Sequence, residues 1–374
     1  MNSTPCRRGC CTSILLAGES IRNMPIDLNS RADVTSLDPK EMLRLTEEFP
    51  YQCRRAIEIA QQSELPKTES IPGVVALAGM GGSAAGGDFV RALFEEHGGA
   101  PFVVVRDYTL PNYIGVGDVV FCASYSGNTE ETLATYDQAK SSGAKIMCVT
   151  GGGKLAEKAR ADGNPVCIVP AGQPPRTALG FMMIPVLYAC TKLKVLHEQD
   201  FEKAFSLLDQ MAKELTVEGS DRSAKDLAQK LHGSVPILYG LGVWQGLIAN
   251  RWRSQINENS KQLAFFNSYP ELDHNEILGW VKAANMGVGK FVGVRLQDGR
   301  ESPKMKKRAE VTERLVKEVA DFHVVTARGE SLLERLLSLA FFGDFVSIYL
   351  ARLNEVDPEN IDYINVLKEE LSRI

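Results

Sequence analysis

Histidine is scarce in this chain, five residues in 374, and none pairs with cysteine at a metal-binding spacing. A tetrahedral metal centre needs clustered Cys, His or carboxylate ligands, so the sequence calls for no metal and no cofactor. The eight cysteines show no ligand pairing either. Cys122, Cys148, Cys167 and Cys190 stand in or beside apolar runs and read as buried thiols of a reducing compartment. There is no basic block: 42 Lys and Arg against 47 Asp and Glu give a net charge of −5. That balance excludes a global field for nucleic acid or an anionic membrane. No Walker lysine follows a glycine-rich turn, which argues against nucleotide phosphoryl transfer. No apolar run reads as a bilayer span. Residues 1–23, with Arg7-Arg8, Cys6, Cys10 and Cys11, are too short and broken for a signal peptide and read as a disordered extension. What remains is the composition of a cytoplasmic globular protein, 44% apolar and 24% charged, long enough for two cores.

Two loops rich in glycine and hydroxyls stand out. Gly79-Met-Gly-Gly-Ser-Ala-Ala-Gly-Gly-Asp88 follows the apolar run Val74 to Ala78, and Ser124-Tyr-Ser-Gly-Asn-Thr129 follows Val119 to Ala123. Each leads into a helical pattern. A strand, a tight turn and a helix start offer unpaired N–H groups and a positive dipole end to an anion. Serine and threonine add neutral donors, and glycine allows close backbone approach. Together the loops predict one phosphate held between them. The first loop is not a dinucleotide fingerprint, because its third glycine is out of place and no acidic residue ends a suitable second strand.

The pattern around the loops alternates. A helix is expected over 41–62, then strands at 74–78, 102–105, 119–123, 145–150 and 166–169, with helices at 84–97, 129–142 and 154–162 between them. Helical links at 182–196 and 202–213 precede a second cycle. That cycle has strand 235–239, Gly240-Leu-Gly242, helix 243–260, strands 291–296 and 321–326, helix 332–353 and a last helix at 366–372. Alternation of this kind implies α/β subdomains, each a mainly parallel sheet flanked by helices. The divisions expected are 24–213 with its leading helix, 214–354, and a C-terminal turn and helix over 355–374.

Among ionisable residues, Glu271-Leu-Asp-His-Asn-Glu276 surrounds His274 with carboxylates, and Glu258 stands sixteen residues earlier near a helix end. A carboxylate and a histidine in one cleft suit proton transfer at a sugar carbonyl. A helix N-capped by Asp273 with solvated charges fits the same cluster. Arg176, in Gln173-Pro-Pro-Arg-Thr177, follows a strand end where α/β proteins bind ligands, and equally suits a surface loop. Lys368, in Leu-Lys-Glu-Glu-Leu, is an ordinary exposed lysine by position.

In this order the segments resemble the bifunctional phosphoglucose/phosphomannose isomerases of the phosphoglucose isomerase superfamily, built from two sugar-isomerase (SIS) subdomains of flavodoxin-like form. The resemblance runs from about Met24 to the end. It rests on Gly-Met-Gly-Gly-Ser, Ser-Tyr-Ser-Gly-Asn-Thr, Pro-Arg, Asn-Glu-Asn, Pro-Glu-Leu-Asp-His-Asn-Glu and the closing Leu-Lys. It implies that Gly81, Gly82, Ser83, Ser124, Ser126 and Thr129 hold a sugar 6-phosphate. It also implies that Glu258 moves the proton between C1 and C2, that Arg176 offsets the charge of a cis-enediolate, and that His274 and Lys368 open the sugar ring. In the superfamily the histidine can come from a second subunit, which implies a homodimer. The family links mannose 6-phosphate to a threonine just before the final lysine. Asp357-Pro-Glu-Asn-Ile-Asp362 has none, so the resemblance implies glucose 6-phosphate more directly. A non-catalytic SIS regulator is the alternative, with no need of Glu258, Arg176 and His274 in one cleft. An amidotransferase needs a glutamine-hydrolysing domain that the segment around Cys6 is too short to form. A zinc-dependent β-barrel isomerase conflicts with the alternation.

Overall fold

The structure, a computed structural model, describes residues 26–287, 289–371 and 373. The expected extension over 1–23 lies outside the described residues. After a short leading helix α1 (Arg31–Val34), two helices, α2 (Met42–Glu47) and α3 (Phe49–Gln62), replace the single helix expected over 41–62. The break falls at Glu48, ahead of Pro50 in the first turn of α3. Proline has no N–H to continue the α2 ladder, and its ring clashes with the carbonyl four residues back.

The first sheet is wholly parallel. It follows the run β1 (Val75–Gly79), α4 (Gly81–His97), β2 (Phe102–Val105), β3 (Val119–Ser124), α5 (Glu130–Ser142), β4 (Lys145–Thr150), α6 (Gly153–Ala161) and β5 (Val166–Ile168). Its order is β2-β1-β3-β4-β5. Every residue of β1 and β3 is buried, which is why these strands read as unbroken apolar runs: helices cover both faces of a parallel sheet. Helices α7 (Leu179–Lys192), α8 (Phe201–Leu215) and α9 (Ser223–Leu231) lead to the second half.

There β6 (Ser234–Gly240), α10 (Val243–Ser260), β7 (Phe265–Ser268), α11 (Glu276–Gly279), β8 (Lys290–Gln297), α12 (Pro303–Val316) and β9 (Ala320–Thr326) build a second parallel sheet, ordered β7-β6-β8-β9. The first four strand positions of the two sheets therefore correspond. Helices α13 (Leu332–Leu353) and α14 (Asp362–Leu371) close the chain. The strand β7 and the helices α9 and α12 were not expected from the sequence. By length and hydropathy α13 could cross a membrane, contrary to the expectation that no segment could, but 89% of its apolar stretch is buried inside the protein.

One apolar core joins both sheets, running from Leu77, Val119 and Met147 to Leu238, Val292 and Leu296. At its centre α10 lies on α13. Trp252 donates from Nε1 to the Leu339 carbonyl at 2.8 Å, and a Cβ on Gly343 would stand 2.2 Å from the same nitrogen. Glycine at 343 thus lets the two helices approach, and this contact fixes the depth at which α10 presents Glu258.

Candidate active site

The two glycine- and hydroxyl-rich loops meet at the C-terminal ends of β1 and β3. Gly79 reaches α4 through Met80, and no side chain caps α4. The first N–H groups of a 17-residue helix are left open there. Gly82 is forced: a Cβ would lie 2.6 Å from the Pro175 carbonyl oxygen, so only glycine brings α4 against the segment that carries Arg176. In the second loop Gly127 has φ +72, and a Cβ would stand 1.8 Å from the Gly152 oxygen. The loops hold each other. The Tyr125 N–H donates to Ser83 Oγ at 3.2 Å, the Gly127 N–H donates to Ser124 Oγ at 3.1 Å, and Ser124 Oγ and Thr129 Oγ1 share a hydrogen bond of 2.8 Å. Ser126 Oγ, on the exposed tip, accepts from the Asn128 N–H at 3.3 Å. No side chain caps α5 either. The six residues singled out for phosphate thus lie around two open helix starts.

Arg176 stands on a short 3-10 turn over Pro175–Thr177. Gln52 of α3 pins the turn by donating to the Thr177 carbonyl at 2.8 Å and accepting from the Gly180 N–H at 2.7 Å. Only 4% of Arg176 is exposed. Its Nε donates to Asn259 Oδ1 at 2.6 Å, Nη1 to Glu258 Oε1 at 2.9 Å, and Nη2 to the carbonyls of Pro358 and Glu359 at 2.6 and 3.2 Å. Of its five N–H donors, one on Nη1 is left for a ligand oxygen. Asn259 is itself held by α13, donating to Ser347 Oγ at 2.9 Å. Glu258 remains about a third exposed, on the wall of a cavity of about 250 Å³ between α4 and α10. Two residues 82 positions apart thus meet at one cleft.

Lys261 caps the C-terminal end of α10 in a left-handed conformation, φ +50. Its ammonium donates to the carbonyls of Glu258 and Pro358 at 2.7 and 3.2 Å. Partial burial, reinforced by Arg176, pulls its pKa down to about 8. Lys261 and Arg176 together tie the turn at 357–359 to the end of α10. That turn is the region that lacks the family's threonine.

His274 and Lys368 are placed elsewhere. His274 ends an exposed 3-10 turn over Glu271–His274, and Lys368 lies on the exposed helix α14. Neither lines the cavity of this single chain. Asp273 caps no helix. Its carboxylate accepts from Arg308 Nη1 at 3.1 Å and from Thr312 Oγ1 at 3.0 Å, tying the turn to α12, while Asn275 caps α11. The cavity also has lining residues that the sequence reading did not select. Asn250, Ser254 and Glu258 recur every fourth residue on one face of α10, and Arg106, Arg251 and Arg253 join them. That spacing was the available signal.

With this geometry in place, the comparisons with known proteins are specific. The family model described as the bacterial phospho-glucose isomerase C-terminal SIS domain matches residues 220–371, and that of the SIS domain matches residues 73–169. The bifunctional phosphoglucose/phosphomannose isomerase of Caldicellulosiruptor bescii is 39% identical over 332 residues, 87% of this chain and 97% of that protein. The chain belongs to the bifunctional phosphoglucose/phosphomannose isomerase family. The family member from Aquifex aeolicus is 37% identical over 80% of this chain and 90% of its own. Among solved structures, a glucose-6-phosphate isomerase like protein from Thermus thermophilus shares the fold, with a TM-score of 0.58 and 17% identity over 92% of this chain and 99% of that one. The two parallel sheets flanked by helices are the SIS architecture twice over.

Proposed function

We propose that this enzyme interconverts glucose 6-phosphate and fructose 6-phosphate through a cis-enediolate, with mannose 6-phosphate as a second aldose. The observation that carries the reading is the Arg176–Glu258 contact of 2.9 Å at the mouth of the cleft, beside the open start of α4. The phosphate end of the open-chain sugar rests on the two loops. Glu258 takes the proton from C2 of the aldose and returns it to C1. The proton on O2 leaves as the carbonyl forms there, and O1 gains one. A proton α to a carbonyl is too weakly acidic for a carboxylate alone, so the charge on the enediolate oxygens must be offset by placed donors. The remaining Arg176 Nη1 N–H is such a donor. The Pro358 and Glu359 carbonyls that hold Arg176 make the turn at 357–359 the place where C2 configuration is sensed.

Ring opening by His274 and Lys368 requires a second copy of the chain. Two exposed apolar surfaces support this. Leu278, Val281 and Met286 follow His274 and are 71, 73 and 64% exposed, and Tyr363, Val366, Leu367 and Leu371 stand out on the helix that carries Lys368. Exposed apolar side chains grouped in this way suit an association site, and a homodimer would cover them while completing the site. The five described cysteines, all buried and unpaired, fit a cytoplasmic enzyme.

The test is isomerisation of each aldose by the metal-free parent and by Glu258→Gln. Loss of about 10³-fold in kcat is expected. Full activity in the variant, or none in the parent with either aldose, overturns the reading.

A further inference from the structure

The cleft holds more positive charge than isomerisation uses. Apart from Arg176, three arginines line it, Arg106 from the first half and Arg251 and Arg253 from α10, against the carboxylates Asp88 and Glu258. Arg106 follows the end of β2 and is paired with buried Asp88. Arg251 is 7% exposed and is anchored to Asp344 at 2.7 Å, yet its Nε has no acceptor among the described residues. Arg253 donates from Nη2 to Asn250 Oδ1 and lies 5.4 Å over the Phe266 ring. Its Nε is likewise buried without an acceptor, and no carboxylate pairs with it among the described residues. Buried donors of a charged group left unpaired are costly. The Nε atoms of Arg91, Arg295 and Arg335 likewise lack a hydrogen-bond partner among the described residues, and what sets Arg251 and Arg253 apart is that they line the cleft.

The sheet order says where these groups stand relative to the phosphate loops. The Ser124–Thr129 loop leaves β3, the Gly81–Gly82 turn leaves β1, and Arg106 leaves β2, on the far side of β1 from the loop. Two strand spacings separate the outer pair, on the order of 10 Å. Along α10, Arg253 lies five residues before Glu258, about 7.5 Å of helix rise. With the 6-phosphate on the loops, Arg106 therefore stands across β1 from the second loop, and Arg251 and Arg253 share its cleft with Glu258.

We propose that Arg106, Arg251 and Arg253 form a second anion subsite in this cleft, so that a sugar carrying an anionic group at each end binds across it more tightly than the 6-phosphate alone. The inference rests on the isomerase reading for the orientation of the sugar, and it makes doubly anionic sugars competitive regulators of the site. Neutral loop donors hold the first phosphate. Guanidinium groups, suited to bidentate contact, hold the second.

The probe is fructose 1,6-bisphosphate, titrated by calorimetry against fructose 6-phosphate on the full chain, in the parent and in Arg253→Gln and Arg106→Gln. In the parent the bisphosphate is expected to bind about tenfold more tightly and to be displaced by fructose 6-phosphate. Each variant is expected to move that affinity ratio toward one, most in Arg253→Gln, whose arginine no carboxylate holds. Equal or weaker bisphosphate binding in the parent overturns the subsite, as does a ratio that neither variant changes. The bisphosphate, with O1 esterified, is not turned over, and fructose 6-phosphate is read at its isomerisation equilibrium; a parent that isomerises but shows no bisphosphate preference refutes the subsite alone. A parent that prefers the bisphosphate but isomerises neither aldose refutes the isomerase reading alone.

Discussion

The two halves share a strand order and divide the work by what they do with their helix starts. In the first half α4 and α5 begin without a side-chain cap, and the Gly81–Gly82 start of α4 lines the cleft. In the second half α12 is capped, and α10, though it too begins without a side-chain cap, has its start crowded. The side chain of Gln245 packs onto Gly242 at the start of α10, 2.4 Å from where a Cβ would be. The Asp298 and Gly299 N–H groups donate to Glu301, and Ser302 caps α12. A helix start is a ready anion site only while nothing in the chain occupies it. The second half keeps the sheet, and the proposed phosphate site falls to the first half. Its contribution comes instead from the far end of a helix, where Glu258, Asn259 and Lys261 meet Arg176.

The sharpest way to break this division is to separate the halves of a composite site. Glu258→Gln and His274→Ala, each expected to lose most activity, are mixed and allowed to reassociate. If the histidine reaches across a dimer, a mixed pair holds one intact site. Random exchange then restores about a quarter of parental turnover. No recovery, with mixed dimers shown to form, removes the shared site.

A smaller effect compares a glycine in the first turn of α4 with one in the first turn of α10. Gly82→Ala puts a methyl 2.6 Å from the Pro175 carbonyl oxygen, and Gly246→Ala puts one 2.7 Å from Ser268 Cβ. Each is expected to cost about 1–3 kcal/mol by overpacking, read as a lowered Tm. Only Gly82→Ala, which pushes α4 from Arg176, is expected to raise KM for fructose 6-phosphate as well, by about tenfold. Equal KM values in the two variants contradict the assignment of anion binding to the first half. Caps give a milder version. Ser302→Ala is expected to cost about 1 kcal/mol of stability with KM unchanged, whereas Thr129→Val raises KM about threefold at nearly constant Tm. The reverse pattern in a denaturation and kinetic series reassigns the roles.

Much of this division was legible in the sequence. Continuous apolar runs revealed the buried parallel strands, and the hydroxyl-rich loops appear once, in the first half only. The edge strand β7 was missed because Phe265-Phe266-Asn267-Ser268 neither alternates nor forms an apolar run, its outer edge being unpaired. The three-way tie of Arg176 to Glu258, Asn259 and the carbonyls near Pro358 joins segments 82 to 183 residues apart. Backbone acceptors carry no side-chain signature, so no pattern in the sequence could show that tie. Arg253, five residues before Glu258, lies off the four-residue spacing of Asn250, Ser254 and Glu258, so no periodic signal selects it.

The smallest expected effect concerns the end of α10, where Lys261 shares the Pro358 carbonyl with Arg176. Its pKa, about 8 in the folded chain against 10.5 for an unhindered lysine, is lowered first by burial and then by Arg176. The unfolded chain therefore binds more protons between pH 8 and 10.5, and stability rises with pH across that window. Below pH 8 the charged ammonium sits beside Arg176 at full cost, partly screened because Lys261 is partly exposed. Lys261→Met removes this titration together with the two carbonyl contacts. The Tm of the parent relative to the variant is expected to climb by about 1–2 °C from about pH 7 to about pH 10. Parallel Tm curves mean that Lys261 is solvated and does not hold the tail. A rising difference shows that the second half keeps a cation in tension with Arg176, whereas the loops of the first half are built on neutral donors.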